Sequence, residues 1–112
     1  MEISKEKFEE IVSKKLQELP EEIKKRLENI EFFVEEGVSS NILGFYQGVP
    51  FPKRKNPGYS LVLPDKIVLF KKNIEKGCKT ENELEKRIEK VLLHEIGHYL
   101  GLNEYQLGKM GL

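Results

Sequence analysis

Apolar residues Phe8, Ile11, Val12, Leu16 and Leu19 recur at steps of three and four with Lys and Glu between them, the period of an amphipathic helix. Ser4 stands where a cap belongs, so the spacing predicts a helix from there to Pro20. Pro20 stops that helix and suits the first turn of a second, shorter one, in which Ile23 and Leu27 share a face and Glu21 and Glu22 sit at the positive end. From Ile30 the period drops to two. Ile30, Phe32 and Val34 alternate with Glu31, Phe33 and Glu35 until Gly37 ends the run, which predicts a strand with one better-buried face. The stretch from Ile42 to Val49 reads as a second strand, interrupted at Gly44 and Gly48, where a bulge or a close backbone approach is expected.

Three prolines and Lys53, Arg54 and Lys55 make a loop between Pro50 and Gly58. Tyr59 to Leu63 and Ile67 to Phe70 then flank the turn signal at Pro64 and Asp65, and at least the second of these is a strand. Thr80 opens the clearest helix in the chain. Thr80 and Glu83 form a capping box, Leu84, Ile88, Val91 and Leu92 follow at helical spacing, and Gly101 is the expected stop. Asn103 to Met110 has room for one or two further helical turns. Two helices, three strands, and a long helix with a short tail predict an α+β fold.

Composition narrows the setting. A chain of 112 residues fits one domain, 1–112, and its 38% hydrophobic content is too high for disorder while its 34% charged content is too high for a membrane span. Nineteen basic residues balance nineteen acidic ones, which removes the basic excess that nucleic acid or an anionic membrane would require. One cysteine, Cys78, allows no intramolecular disulfide, and the N-terminus has neither the basic start and apolar run of a secretory signal nor the Arg-rich character of a transit peptide. A cytoplasmic protein is expected.

The two histidines of the chain, His94 and His98, stand four apart on the long helix, so both imidazoles leave one side of it one turn apart. That spacing chelates a single metal ion. Glu95 lies between them, at the position that in His-Glu-x-x-His hydrolases takes the proton of the activated water. With about 100° per helical residue, Glu95 and His98 fall within or beside the stripe of Leu84, Ile88 and Val91, so this face points toward the core or a cleft. A zinc site needs a third protein ligand. Gly101 lets the chain turn back after the helix, bringing Glu104 within reach, and His94, His98 and Glu104 would then hold one Zn²⁺ per chain, with water fourth.

From Val91 to Glu104 the sequence resembles the metzincin signature His-Glu-x-x-His-x-x-Gly-x-x-His, except that Glu104 stands where the third histidine would be and Met110 is no more than a remnant of the methionine turn. It is more similar to the short prokaryotic zincin-like metallopeptidase domains, minimal zincins that share the Glu104 variant, the segment Leu43 to Pro50 and the segment Pro64 to Phe70. The resemblance spans residues 30 to 112. It implies a zincin-like fold, with a small mixed sheet packed against helices and the motif helix near the C-terminus. It also implies a zinc-dependent peptidase acting on peptide or protein substrates, with Glu95 as general base.

Other readings compete with these residues. Glu104 also suits the first turn of a tail helix capped by Asn103. Phe45, Tyr46 and Phe51 form either plain core or the surface of a non-catalytic, metal-stabilised interaction domain. The Lys53 to Lys55 run fits an RNA-processing metal hydrolase, but the ribosomal-RNA maturation metalloproteins that share the histidine spacing have a third histidine and no glutamate at the position of Glu95. Tyr46, Tyr59, Tyr99 and Tyr105 are the candidates for an oxyanion partner, and Cys78 reads as a loop or buried thiol. Substrate, substrate-binding edge and oligomeric state are not legible.

Overall fold

The structure, a computed structural model, describes residues 1–48, 65–109 and 111. The expected loop between Pro50 and Gly58 with Phe51, the run from Tyr59 to Leu63, and Met110 lie outside the described residues. The chain is α+β, as its pattern predicts. Among the described residues the elements are α1 (Lys5–Gln17), α2 (Glu21–Arg26), β1 (Ile30–Glu35), β2 (Gly44–Gln47), β3 (Asp65–Phe70), α3 (Lys71–Glu75), α4 (Glu81–Tyr99) and α5 (Glu104–Lys109).

The two long helices start as their sequences dictate. Ser4 Oγ accepts the Lys7 N–H at 3.1 Å, and Thr80 Oγ1 accepts the Glu83 N–H at 3.1 Å. Glu83 reaches one residue further back than a capping box requires, accepting from the Lys79 N–H at 2.7 Å. Pro20 is the cap of α2 and not its first residue, because its ψ of 146° is still extended.

The described strands form one mixed sheet in the order β1-β3-β2, with β1 parallel and β2 antiparallel to β3. Alternation sorts the side chains. Ile30 and Val34 of β1 and Ile67 and Leu69 of β3 face Phe8 and Ile11 of α1 and Leu84, Ile88, Val91 and Leu92 of α4, all in one core. Each such side chain contributes roughly 1.5–3 kcal/mol by leaving water.

One expectation is corrected, and one helix is added. The second strand starts at Gly44 where Ile42 was expected, since Ile42 is exposed and among the described residues only the Leu43 carbonyl extends the pairing, accepting the Phe70 N–H at 2.9 Å; it runs to Gln47, and Val49 of the expected range lies outside the described residues. The helix α3 has no sequence signal, because five residues with one apolar member, Ile74, cannot display a period. It nevertheless pins the link between β1 and β2. Asn73 Nδ2 donates to the carbonyls of Ser40 and Ile42 at 2.8 and 2.9 Å, and its Oδ1 accepts the Val38 N–H at 3.2 Å.

Gly44 is the close approach its sequence position foretells. A Cβ there would fall 2.6 Å from the Val68 carbonyl oxygen and 3.3 Å from Val91 of α4. The decisive clash is with β3, so only glycine lets β2 pair this closely there while passing beside the motif helix.

Candidate metal centre

The last two turns of α4 carry His94, Glu95 and His98. The helix then ends in a Schellman turn: the Gly101 N–H donates to the His98 carbonyl at 3.0 Å and the Leu102 N–H to the Gly97 carbonyl at 2.9 Å, with Gly101 at φ +93°. The reversal brings α5 back over the helix end. Leu107 is fully buried and sits against Gly97, where a Cβ would come within 2.4 Å of its Cδ2. Asn103 and Gln106 then cap α5 reciprocally, Asn103 Oδ1 accepting the Gln106 N–H at 2.9 Å and Gln106 Oε1 the Asn103 N–H at 2.8 Å.

Glu104 is the first residue of α5, so its reading as a first-turn acid holds. Its side chain also points back at the histidines. Glu104 Oε1 lies 3.2 Å from His94 Nε2 and 2.7 Å from His98 Nε2, and one donor atom from each of the three residues falls within 4.8 Å of the others. Ligands about 2.0–2.1 Å from a tetrahedral ion lie about 3.3–3.4 Å apart, inside that range.

The proton inventory of His98 favours a cation here. Its Nδ1 is 3.1 Å from the Leu102 carbonyl oxygen while its Nε2 faces Glu104, so both ring nitrogens point at oxygen acceptors. A neutral imidazole carries one N–H and cannot satisfy both, so the arrangement calls for positive charge, either a second ring proton or a bound metal ion. If Nδ1–H donates to Leu102, Nε2 presents a lone pair toward the carboxylate, and a cation between them satisfies both. The donor set of two imidazoles and one carboxylate fits zinc.

Charge in the site is tuned by burial. Glu95 is buried at 7% exposure, and loss of solvent raises its carboxyl above the usual range, with the Glu104 charge adding to the rise and the two imidazoles opposing it. Glu104 is solvent-exposed, and its contacts with His94 and then His98 hold its carboxyl below the usual range. Glu95 is thus the better proton acceptor of the two.

His94, Glu95 and Glu104 line a cleft of about 480 Å³, opposite Leu43 and Gly44 and with Arg87 and Lys90 along the helix. Sequence reasoning did not single out Arg87 or Lys90 as site residues. The signal was their spacing, seven and four residues before His94 on the same helix.

Of the tyrosines expected as oxyanion partners, Tyr59 lies outside the described residues and the other three have other partners. Tyr46 Oη donates to Asp65 Oδ2, and the Tyr99 hydroxyl, within the core, donates to the Arg26 carbonyl at 2.6 Å. Tyr105 is exposed beneath the Lys109 ammonium, 5.0 Å from its ring centroid. Phe45 packs on Phe70 at a tilt and Tyr46 meets Tyr99 edge to face, so both make packing contacts. Cys78 is the buried thiol, its Sγ 3.5 Å from the Ile74 carbonyl.

No curated protein matches the chain. A family model described as zincin-like metallopeptidase matches residues 17–112, taking the likeness back into α1, ahead of the strand where the motif resemblance begins. With most of its length matched and its fold of the expected class, the chain belongs to the zincin-like metallopeptidase family.

Proposed function

We propose that the protein is a zinc-dependent peptidase in which His94, His98 and Glu104 hold one Zn²⁺ and Glu95 is the general base. The observation that carries this reading is the convergence of two imidazole nitrogens and one carboxylate oxygen at an open cleft that buried Glu95 also lines. When bound, zinc polarises the scissile carbonyl and acidifies the attacking water. Glu95 takes that water's proton as its oxygen bonds to the carbonyl carbon, and returns the proton to the nitrogen as the C–N bond breaks. Burial suits it to both halves of the task, since a raised carboxyl is a stronger base at first and a competent acid afterwards.

Among the described strands β2 ends the sheet, and Leu43 and Gly44 bring this end to the cleft wall. A substrate laid along β2 as an added strand would be held by main-chain hydrogen bonds, with its scissile bond over the histidines. Peptide or protein substrates follow from that mode.

Glu95→Gln tests the reading. Zinc content should stay at the wild-type value while cleavage of a broad peptide library falls by about 10²–10⁴-fold. Undiminished turnover would remove Glu95 from the mechanism. A zinc-loaded wild type that cleaves no member of the library would leave the metal-stabilised interaction domain as the function.

A further inference from the structure

The metal cleft does not end at the metal. A second hollow of about 450 Å³ adjoins it, sharing Leu43 and Arg87, and is lined by Lys72, Asn73 and Lys76 of the α3 region together with the β1–β2 link. The two meet at these shared residues and are read as one groove. Among the described residues its charged side chains beyond Glu95 and Glu104 and besides the imidazole of His94 are cations: Lys90, Arg87, Lys76 and Lys72. In a chain of zero net charge this is a local asymmetry.

Most of that charge is unspent. Lys72 lies 3.8 Å from Glu36, whereas Lys76, Arg87 and Lys90 meet no carboxylate among the described residues. Arg87 is also held in place, since its Nη1 donates to the Lys76 carbonyl at 2.6 Å. Nη1 also lies 3.8 Å from Cys78 Sγ, so these contacts occupy the Nη1 end of the guanidinium and leave the remaining N–H groups to receive a bound anion.

We infer that this groove takes the carboxylates of an acidic polypeptide segment lying on one side of the scissile bond. The inference rests on the proposed peptidase site and adds its substrate class. Lys90 stands four residues before His94 and Arg87 seven, about 6 and 10 Å along the helix axis. An extended chain advances about 3.3 Å per residue, so for a segment running along the helix the two cations would serve positions about two and three residues from the bond to be cut. Lys76, whose carbonyl accepts from Arg87, and Lys72 line the hollow beyond. The carboxylates come from Asp and Glu side chains or from the free end of the substrate chain.

The test is binding, which needs no turnover. Zinc-loaded Glu95→Gln would be titrated by fluorescence anisotropy, at low salt, with amidated ten-residue peptides carrying two Glu, two Lys or no charge, and with the uncharged peptide bearing a free C-terminal carboxylate. The Glu peptide should bind roughly fivefold or more tighter than the uncharged one and the Lys peptide more weakly, as expected for one or two partly exposed ion pairs. Adding Lys90→Glu should reverse the order of the Glu and Lys peptides. A gain confined to the free C-terminus would assign the carboxylate to the chain end, and a gain in the amidated Glu peptide to side chains. Equal binding of all peptides, or tighter binding of an RNA oligonucleotide of equal charge, would overturn the inference. Wild type that binds the Glu peptide and cleaves nothing would instead defeat the peptidase reading alone.

Discussion

Gly101 decides where Glu104 can go. Its φ of +93° is available to glycine at no steric cost, and the Schellman turn built on it returns the chain over the end of α4. Gly101→Ala should therefore cost about 1–2 kcal/mol of stability and weaken zinc binding, because the strain is relieved only by shifting α5. Thermal denaturation alongside a zinc titration reads both effects. An alanine variant with wild-type stability and affinity would show that the turn does not position Glu104. This turn was readable in advance, since glycine three residues after His98 has a definite conformational meaning. The contact between His98 and the Leu102 carbonyl was not, because every residue carries a backbone acceptor and only the folded turn shows which one is used.

Among the elements, α3 holds the feature most sensitive to substitution. Lys71 and Glu75 are both buried, with Lys71 Nζ 3.2 and 3.0 Å from the two Glu75 oxygens, and Glu75 Oε2 also accepts the Ile3 N–H at 2.9 Å. Glu75→Ala would leave a buried ammonium unpaired, and should cost about 3–5 kcal/mol in urea unfolding. The double change Lys71→Met with Glu75→Leu should recover most of that loss, since it removes both charges. A single variant that unfolds at the wild-type midpoint would show that Lys71 escapes to solvent. Neither α3 nor this pair was legible. Lys71 and Glu75 carry no sequence signal of burial, and only the packed fold sets them in the interior, whereas α4 was legible along its whole length because nineteen residues display several turns of one period.

At the scale of the molecule, the pattern of residues gave the class of fold but not the neighbours within it. Alternation identifies Ile30 to Glu35 as a strand, yet nothing local says that it pairs in parallel with Asp65 to Phe70, or that β2 ends the described sheet beside the motif helix. The groove was hidden for the same reason. Arg87 and Lys90 look like ordinary solvated positions of α4, and only packing sets them opposite Leu43 and next to the hollow that Lys76 and Lys72 line.

The candidate centre joins α4 to α5 through side chains six and ten residues apart, and every functional reading begins with whether a metal binds there. The most direct measurement is elemental analysis of the purified wild type beside His94→Ala, His98→Ala and Glu104→Ala, with circular dichroism to confirm that each is folded. Near one zinc per chain in the wild type, lost in both histidine variants and in Glu104→Ala, is the predicted result. A folded wild type that contains no metal and rejects added zinc, or variants that keep it, would contradict the proposed centre.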